Sequence, residues 1–501
     1  MSEDGPGPAG EEEEPAAGLR EGAAPGACDA GADPDPGAQV TLEISAFRRV
    51  LKNRDFMALW IGLGISSIGD WVIVGILLDQ VNRLGGPSGL FFMMAFRFLP
   101  AFLFGLVAGA VVDRVERKAL MIICELARAV MVIALAFANS LAMICGLVFG
   151  IECFTLLFNP ATDSSIPDLV KKEEVMTANS MMSTSMYLTM ALGTLIATVI
   201  LGIAGLVYRF PFVHYIAREQ AAFQHQFAFI VDAFSFLVSA MLLFTIAFPR
   251  GDARAREKFS ARSIFGDLKE GLGFMRTDPL TRGILGLMIV GFIGGGSLYI
   301  LGAPFAQQVM NAVGAKFTLL LSMLMIGIVA GAASTPWLSK RFPSSLWFTR
   351  AVVMFGAAVV TFALIDFYPL SMLVIFFGGC TLGYLLVSAY TLLHQNLAEE
   401  IRGRVFAAMQ TIMRTCMLLS MGIFAGLAWL LGRWIPWTAD KPVSRVLDLG
   451  VLHKSFYPSM IALLIGGAVV IFAGVAFTHS LHSFFRDKDS SGEADRAAGR
   501  A

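Results

Sequence analysis

The sequence predicts an all-α membrane protein with 12 transmembrane helices in two pseudo-symmetric six-helix bundles. Composition is the first observation: 56% of the 501 residues are hydrophobic, 15% are charged, and the mean hydropathy is +0.69. Charged residues make up about a quarter of an ordinary soluble domain, so the lipid bilayer is the expected solvent of this chain. The other observations are twelve apolar spans and one long charged connection that divides them six and six.

The spans are long enough to be membrane helices, because each reaches the roughly 20 residues that cross about 30 Å of hydrocarbon. In the first half they cover Phe56–Val81, Ser88–Val112, Ala119–Ala138, Leu141–Ile166, Met176–Val207 and Phe227–Phe248. In the second half they cover Leu280–Val309, Phe317–Trp337, Leu346–Phe367, Leu370–Leu393, Val405–Leu431 and Phe456–Thr478.

Composition also predicts the segments around the spans. The segment 1–41 is rich in Gly, Ala, Pro and acids, and we expect a disordered tail because it has little apolar surface to bury. The N-terminal bundle is expected over 42–248 and the C-terminal bundle over 280–480. Between the bundles, 249–279 is predicted to be a cytoplasmic loop with an amphipathic helix at the membrane face, and 481–501 a cytoplasmic disordered tail.

Basic residues predict the orientation. Counted near the ends of the spans, the side of the N-terminus holds 24 Lys and Arg, whereas the other side holds 8. Flanking bases resist translocation, so both termini are expected to be cytoplasmic. The net charge of zero and the absence of a basic patch argue against a nucleic-acid partner.

The two halves look related to each other. Val175–Ala178 at the start of the fifth span matches Val405–Ala408 at the start of the eleventh, and Asn53–Phe56 before the first span matches Thr277–Leu280 before the seventh. Such offsets of about 225 to 230 residues are typical of the internal duplication seen in transporters.

A glycine, an acid and three bases separate the second span from the third: Gly109, Asp113, Arg114, Arg117 and Lys118. Gly109 would let a neighbouring helix approach closely, and Asp113 could accept hydrogen bonds from a helix N-terminus, where the dipole is positive. We therefore interpret this loop motif as a contact between helices. The alternative is a topology signal made of positive charge, although such a signal requires neither Gly109 nor Asp113.

Several charges lie inside the apolar spans. Asp70 and Arg97 are both roughly 14 Å from the outer ends of their helices at 1.5 Å per residue, so adjacent antiparallel helices would allow them to pair. Glu152 and Arg414 also lie near the middle of their spans. Intramembrane charges are costly and mark functional sites by default.

Glu125 and Arg128 have the i, i+3 spacing of a helical ion pair, and we predict that they form a structural pair. Burial favours the neutral form of a carboxyl group and a nearby arginine favours the charged form. We therefore expect Asp70 or Glu152 to carry a proton whose release is coupled to cargo movement. The alternative is that all of these charges are structural pairs that fix the rotation of the helices.

Motifs elsewhere in the chain accompany the loop motif. They are Phe56-x-x-Leu59-Trp60-x-Gly62, Ser66–Asp70, Asn159-Pro160, Ile166-Pro167-x-Leu169-Val170, Asp232-x-x-Ser235-Phe236 and Gly403–Phe406. With these motifs the sequence resembles the major facilitator superfamily, and within it the macrolide-efflux and enterobactin-exporter (drug:H⁺ antiporter-3) group.

The resemblance implies several properties. The loop motif would be a latch that joins the two halves on the cytosolic side and breaks during transport. Asp70 and Glu152 would face the central cavity, and Arg97, Arg128 and Arg414 would tune them. The protein would lie in the bacterial inner (plasma) membrane and export an amphipathic drug, macrolide or siderophore by alternating access, with H⁺ as the coupling ion. We expect a monomer.

The alternatives to an exporter are a carrier that flips lysophospholipid and a membrane enzyme or sensor on the same fold. No GxxxxGK(S/T) loop is present, so we do not expect ATP hydrolysis, and no HExxH or GxSxG element suggests an enzyme.

No cofactor or metal is expected. His214 and His225 lack ligand spacing and are predicted to lie in an outer loop, and the cysteines show neither disulfide nor CxxC patterns. A carrier driven by a gradient remains.

Overall fold

The computed structural model describes residues 47–112, 114–216, 219–248, 273–341, 344–434 and 457–477. Nearly all of these residues are helical, and no strand occurs among them. The predicted tails and most of the predicted central loop lie outside this part of the chain, although 273–277 at the end of that loop form a short helical turn.

Eleven helical stretches in these ranges are long and apolar enough to cross a membrane, and the first of them, within Arg54–Val112, contains two helices. We number the twelve membrane helices in chain order. The first six are α1 (54–85), α2 (87–112), α3 Arg117–Ala136, α4 Leu141–Leu169, α5 Val175–Tyr208 and α6 Gln220–Thr245. The others are α7 Pro279–Met310, α8 Ala315–Arg341, α9 Ser344–Leu364, α10 Tyr368–Asn396, α11 Glu399–Trp434 and α12 Pro458–Phe477.

The chain reverses direction between α1 and α2 at Gly86. This residue has φ 57° and ψ −153°, a backbone conformation that is accessible to glycine and strained for other residues. After it the chain doubles back: a Cβ atom at Gly89 would lie 3.4 Å from the carbonyl oxygen of Val81. Residues eight positions apart in a continuous helix are about 12 Å apart, so α1 and α2 are antiparallel.

Most connections are short and make successive helices antiparallel, and the ends of the helices lie on two faces of the molecule. We call the face where α1 begins the basic face, because its connections carry the excess of Lys and Arg, and the other the opposite face. Helices α1–α6 pack mainly among themselves, as do α7–α11, and α12 packs on α7 and α9 through Val470 and Gly467. The predicted fold class of twelve helices in two bundles is confirmed.

Helices α8 and α10 cross at very short range through glycines. A Cβ atom at Gly327 or Gly331 of α8 would lie 2.2 or 2.0 Å from a backbone carbonyl oxygen of α10. Gly379 and Gly383 of α10 have the same relation to carbonyl oxygens of α8, at 2.2 and 2.0 Å. Small residues four positions apart on both helices permit this approach, so α8 and α10 form a closely packed pair in the second half.

Helix α6 begins seven residues earlier than the sequence predicts, at Gln220 instead of Phe227. Its first turns are polar, yet two of their side chains face neighbouring helices: Nε2 of Gln224 donates to the carbonyl oxygen of Leu201 at 2.9 Å, and His225 is buried. The prediction that His225 lies in an outer loop was therefore wrong. Hydropathy does not register a polar turn whose hydrogen bonds are satisfied by neighbouring helices.

Candidate functional site

Arg128 of α3 is the centre of a charge cluster inside the first half. Its Nη2 lies 3.0 Å from Oε2 of Glu125 on the same helix, so the pair predicted from the i, i+3 spacing is present. Its Nη1 lies 3.7 Å from Oδ2 of Asp70 on α1. One guanidinium thus joins two carboxylates from two helices.

Aromatic and hydroxyl groups contact and stabilise this buried ion pair. The guanidinium carbon of Arg128 lies 4.4 Å from the ring centroid of Phe158 and 4.7 Å from that of Phe236. Such cation–π contacts partly replace the hydration that a buried arginine loses. On the other side of the pair, the hydroxyl of Ser239 donates to Oε1 of Glu125 at 2.9 Å.

A third carboxyl group, Asp232 of α6, lies beside the cluster. It is buried, with 1% of its surface exposed, and Ser235 donates a hydrogen bond to its Oδ1 at 3.1 Å. Among the described residues its Oδ2 has no hydrogen-bond partner. A Cβ atom at Gly69 would lie 1.7 Å from Oδ1, so glycine next to Asp70 is what lets Asp232 approach α1. The sequence pointed to Asp232 only as part of a family motif.

Arg97 and Glu152 form a separate ion pair between α2 and α4, with 2.9 Å from Nε to Oε1. The predicted pairing of Arg97 with Asp70 was therefore wrong. Equal depth in the membrane is necessary for such a pair but does not give the rotation of either helix, and α4 places its own carboxylate against Arg97. Tyr299 of α7 interacts electrostatically with this pair from the second half, which no sequence pattern indicated.

The charges differ in their access to water. The side chains of Asp70, Arg97 and Glu152 are 36%, 28% and 22% exposed, although they lie midway along their helices. Those of Glu125 and Arg128 are 0% and 2% exposed. The first three side chains therefore line an interior that water can enter, and the last two form the wall behind Asp70.

Arg414 is not brought together with these charges by any contact that the structure describes. It is an exposed residue of α11 and lies near Tyr390 of α10. Tyr390 stacks on Phe406 with 5.5 Å between ring centroids, and its hydroxyl accepts a hydrogen bond from Nε2 of Gln410. Arg414 therefore belongs to a polar and aromatic surface of the second half.

An apolar cavity of about 160 Å³ lies mainly in the second half, and Tyr299, which interacts with the Arg97–Glu152 pair, is one of its lining residues. Leu78 of α1 and Met190 of α5 complete it from the first half. Gly291 and Gly295 of α7 line it, and neither would place a Cβ atom within 4 Å of another group. Gly294 and Gly296 instead pack against Val470 and Ser420. Of these four glycines of α7, two therefore pack against neighbouring helices and two leave space. The cavity is lined mainly by Leu78, Met190, Phe292, Leu298, Tyr299, Phe317, Leu324, Phe355 and Met417.

One face of α5 changes from exposed to buried along its length. Ser180 and Thr184, near the basic face, are exposed and border an open cavity of about 710 Å³. Further along the same face, Ala191 and Thr194 are buried, and the hydroxyl of Thr198 donates to that of Thr318 on α8 at 3.1 Å. The halves are therefore in contact toward the opposite face, and this face of α5 is open to solvent toward the basic face.

The loop motif is only partly described. Gly109 lies in α2, Arg114 is exposed, and Asp113 lies outside the described residues. Arg117 donates to the carbonyl oxygen of Ser164 at 2.6 Å and pairs with Asp168 at the end of α4. Nζ of Lys118 donates at 2.8 and 2.7 Å to the carbonyl oxygens of Phe244 and Ile246 at the end of α6. These two bases thus hold the loop to α4 and α6, within the first half.

The cysteines and histidines suggest no further chemistry in the described part of the chain. Cys124, Cys145, Cys153, Cys380 and Cys416 are free thiols. No group of three or more His, Cys, Asp or Glu residues is arranged there to hold a metal ion.

Comparison with known proteins adds family relatives. The sequence model described as Major Facilitator Superfamily matches residues 59–420. Two curated relatives come from Bacillus subtilis (strain 168). The uncharacterized MFS-type transporter YfiS is 27% identical over 395 residues, which cover 74% of this chain and 85% of YfiS. The uncharacterized MFS-type transporter YkuC is 21% identical over 393 residues, covering 75% and 86%.

Solved structures with the same fold have lower identity. A bacterial homologue of the human lysosomal transporter Spinster, in an inward-facing and unoccupied conformation, superposes with a TM-score of 0.65 at 14% identity and covers 91% of this chain and 99% of its own. A bacterial homologue of the iron transporter ferroportin, in the inward-facing state, gives a TM-score of 0.58 at 14% identity and covers 84% and 98%. At such identities these likenesses concern the fold alone.

Proposed function

The chain belongs to the Major Facilitator Superfamily, and from this premise we propose that it exports an amphipathic small molecule by alternating access, driven by protons. Membership makes it a membrane transporter and not an enzyme. The cargo class, the direction of transport and the coupling ion are the proposal. We also propose, with the sequence resemblance, that it belongs to the group of macrolide-efflux and enterobactin-exporter proteins.

The proton proposal depends on one observation, the imbalance of buried charge in the first half. Four carboxyl groups, of Asp70, Glu125, Glu152 and Asp232, share two arginines, Arg97 and Arg128, in and beside the interior. Full ionisation would leave an excess of two negative charges, and for the buried Asp232 an uncompensated charge costs several kcal/mol. A site of this kind takes up protons readily, and Asp70, the most exposed carboxyl group of the cluster, is the one we propose exchanges them.

The amphipathic cargo is supported by the contrast between the two walls. The wall of the first half presents Asp70, Arg97 and Glu152, whereas the second half presents an apolar cavity with Tyr299 at the border. A molecule with a polar group and an apolar body would satisfy both walls, since small-molecule sites combine apolar surface with few placed polar groups.

The conformation also fits an export cycle. Hydrogen bonds between the halves, such as that from Thr198 to Thr318, lie toward the opposite face, while α5 is exposed toward the basic face. We propose that this is the inward-open state, with the basic face and both termini cytoplasmic and the protein in the bacterial plasma (inner) membrane as a monomer. The cargo would then enter from the cytosol.

The test is transport into inverted membrane vesicles from cells with and without the gene, using a panel of radiolabelled lipophilic compounds. Uptake of at least one compound that needs the gene and an imposed pH gradient is the expected result. Uptake of radiolabelled lysophospholipid that is independent of the gradient would support the lipid carrier instead. If no compound moves in a gene-dependent way, the export proposal is wrong.

We propose further that Gly109, Asp113, Arg114, Arg117 and Lys118 form a latch that closes the basic face in the other state of the cycle. Substituting Asp113 by Ala should slow turnover more than it weakens cargo binding, because the latch stabilises a conformation rather than the cargo. Comparing the maximum transport rate with the dissociation constant of a labelled cargo checks this. Equal loss of rate and affinity would contradict a latch.

A further inference from the structure

Asp79, near the end of α1 at the opposite face, has a set of contacts that the proton proposal does not use. The residue is completely buried. Its Oδ2 is paired within the first half, with Nη2 of Arg83 at 3.1 Å and with Nε2 of His225 on α6 at 3.1 Å. Its Oδ1 faces the second half, where Nε2 of Gln307 on α7 donates at 2.7 Å and the backbone N–H of Gly314 donates at 3.4 Å.

From this geometry we propose that Asp79 keeps a gate at the opposite face closed by holding the two bundles together there. One carboxylate oxygen is anchored in the first half and the other binds the second half, so Asp79 joins the two bundles, together with the hydrogen bonds from Asn82 to Gln307 and from Thr198 to Thr318. Removing the acceptor would release the bundles at this face and let them approach each other at the basic face. This inference goes beyond the proposed cargo and coupling ion, because it concerns the equilibrium between the two conformations.

Neighbouring groups orient the hydrogen-bond donors of the second half toward Asp79. Nδ2 of Asn82 donates to Oε1 of Gln307, which leaves the amide N–H₂ of Gln307 pointing at Asp79. Gly314 lies in the turn between α7 and α8 with φ 56°, a left-handed conformation in which its N–H can face the carboxylate. Close packing continues one turn away, where a Cβ atom at Gly75 would lie 3.0 Å from the methyl group of Thr318.

A carboxylate is required because every partner donates. The guanidinium of Arg83, the amide N–H₂ of Gln307 and the N–H of Gly314 can only donate, and against an acceptor-only carboxylate Nε2 of His225 also donates. An asparagine has one acceptor oxygen and one N–H₂ group, so in either orientation it would turn donors against donors. Asp79→Asn is therefore nearly isosteric, but its N–H₂ group would face hydrogen-bond donors of either the first half or the second half.

Two distances between spin labels, measured by double electron–electron resonance on a variant without cysteines, test the gate. Labels at Asn139 and Asp366, exposed residues in connections of different halves, report on the opposite face. Labels at Glu173 and Ala398 report on the basic face in the same way. The variants are Asp79→Asn and Gln307→Ala, of which Gln307→Ala removes the side-chain hydrogen bonds of Asp79 and Asn82 across the halves and leaves the ion pairs of Asp79 in place.

The matched control is Gln308→Ala, because Gln308 accepts a hydrogen bond from Ser459 within the second half. We expect each test variant to lengthen the opposite-face distance and shorten the basic-face distance, with about a tenfold rise in the population ratio for a lost hydrogen bond to a charged group. Gln308→Ala should leave both distances unchanged.

Two outcomes would refute the role of Asp79 as a gate residue. Both test variants could keep the wild-type distances, or the opposite-face distance could broaden without shortening of the basic-face distance. Both distances are measured without cargo and without a pH gradient, so failure of the vesicle experiment would not be confused with failure of this one.

Discussion

Asp70→Asn is expected to reduce proton-driven transport to the level of membranes without the protein, while the variant still inserts and accumulates normally. Asparagine keeps the shape of the side chain but cannot release or bind a proton. Asp70 is 36% exposed, so little buried structure depends on its charge, and its contact with Arg128 is long at 3.7 Å. Loss of function without loss of protein is therefore the signature of a coupling residue.

The measurement is uptake of a transported compound into inverted vesicles under an imposed pH gradient, normalised to the amount of protein in the membrane. Asp366→Asn is the matched control, since Asp366 is an exposed aspartate in the connection between α9 and α10. Exchange of labelled for unlabelled cargo without a gradient should survive in Asp70→Asn, because exchange needs only the alternation of conformations. Normal gradient-driven uptake by this variant would refute the role given to Asp70.

Arg128→Met is expected to destabilise the folded protein strongly. The guanidinium is 2% exposed and lies 3.0 Å from the fully buried Glu125, so methionine would leave a carboxyl group without its cation. Removing one partner of a buried ion pair typically costs about 3–5 kcal/mol, because the remaining charge is uncompensated. Glu125→Gln combined with Arg128→Met removes both charges, and this double variant should recover most of the loss.

Thermal unfolding of the purified protein in detergent, followed by tryptophan fluorescence, gives the comparison. Arg209→Met, at an exposed arginine just after α5, is the control for loss of an arginine as such and should have a wild-type unfolding temperature. A single variant as stable as the wild type would show that the ion pair contributes nothing. A double variant no more stable than the single one would show that packing of the arginine, and not its charge, is what matters.

Hydropathy was sufficient to predict the helices of this fold because a membrane helix must satisfy its backbone internally and present apolar side chains to lipid. Both constraints are local, so they can be recognised in a single span without knowledge of its neighbours. Hydropathy predicts a helix less well where protein, and not lipid, surrounds it. The early start of α6, where Gln224 and His225 bond to neighbouring helices, is such a place.

Intramembrane charges were visible in the sequence, but only some of their partners were. The Glu125–Arg128 pair lies on one helix, so spacing alone identified it. The pairs of Arg97 with Glu152 and of Arg128 with Asp70 join different helices, and depth along a helix leaves its rotation open. Asp79 and Asp232 are also acids inside apolar spans. They could have been identified from the sequence by considering every acid in every span.

The sequence by itself determined that the chain is helical and membrane-embedded, and that it carries acids and arginines midway along its apolar spans. These properties follow from composition and spacing along one helix at a time. Only the tertiary structure decided which charges meet, that Asp232 lies against Gly69, and that the halves touch toward one face, with Asp79 between them. The physical reason is that such contacts depend on how helices distant in sequence rotate and pack against each other, and an ion pair or a gate exists only when both sides have been placed.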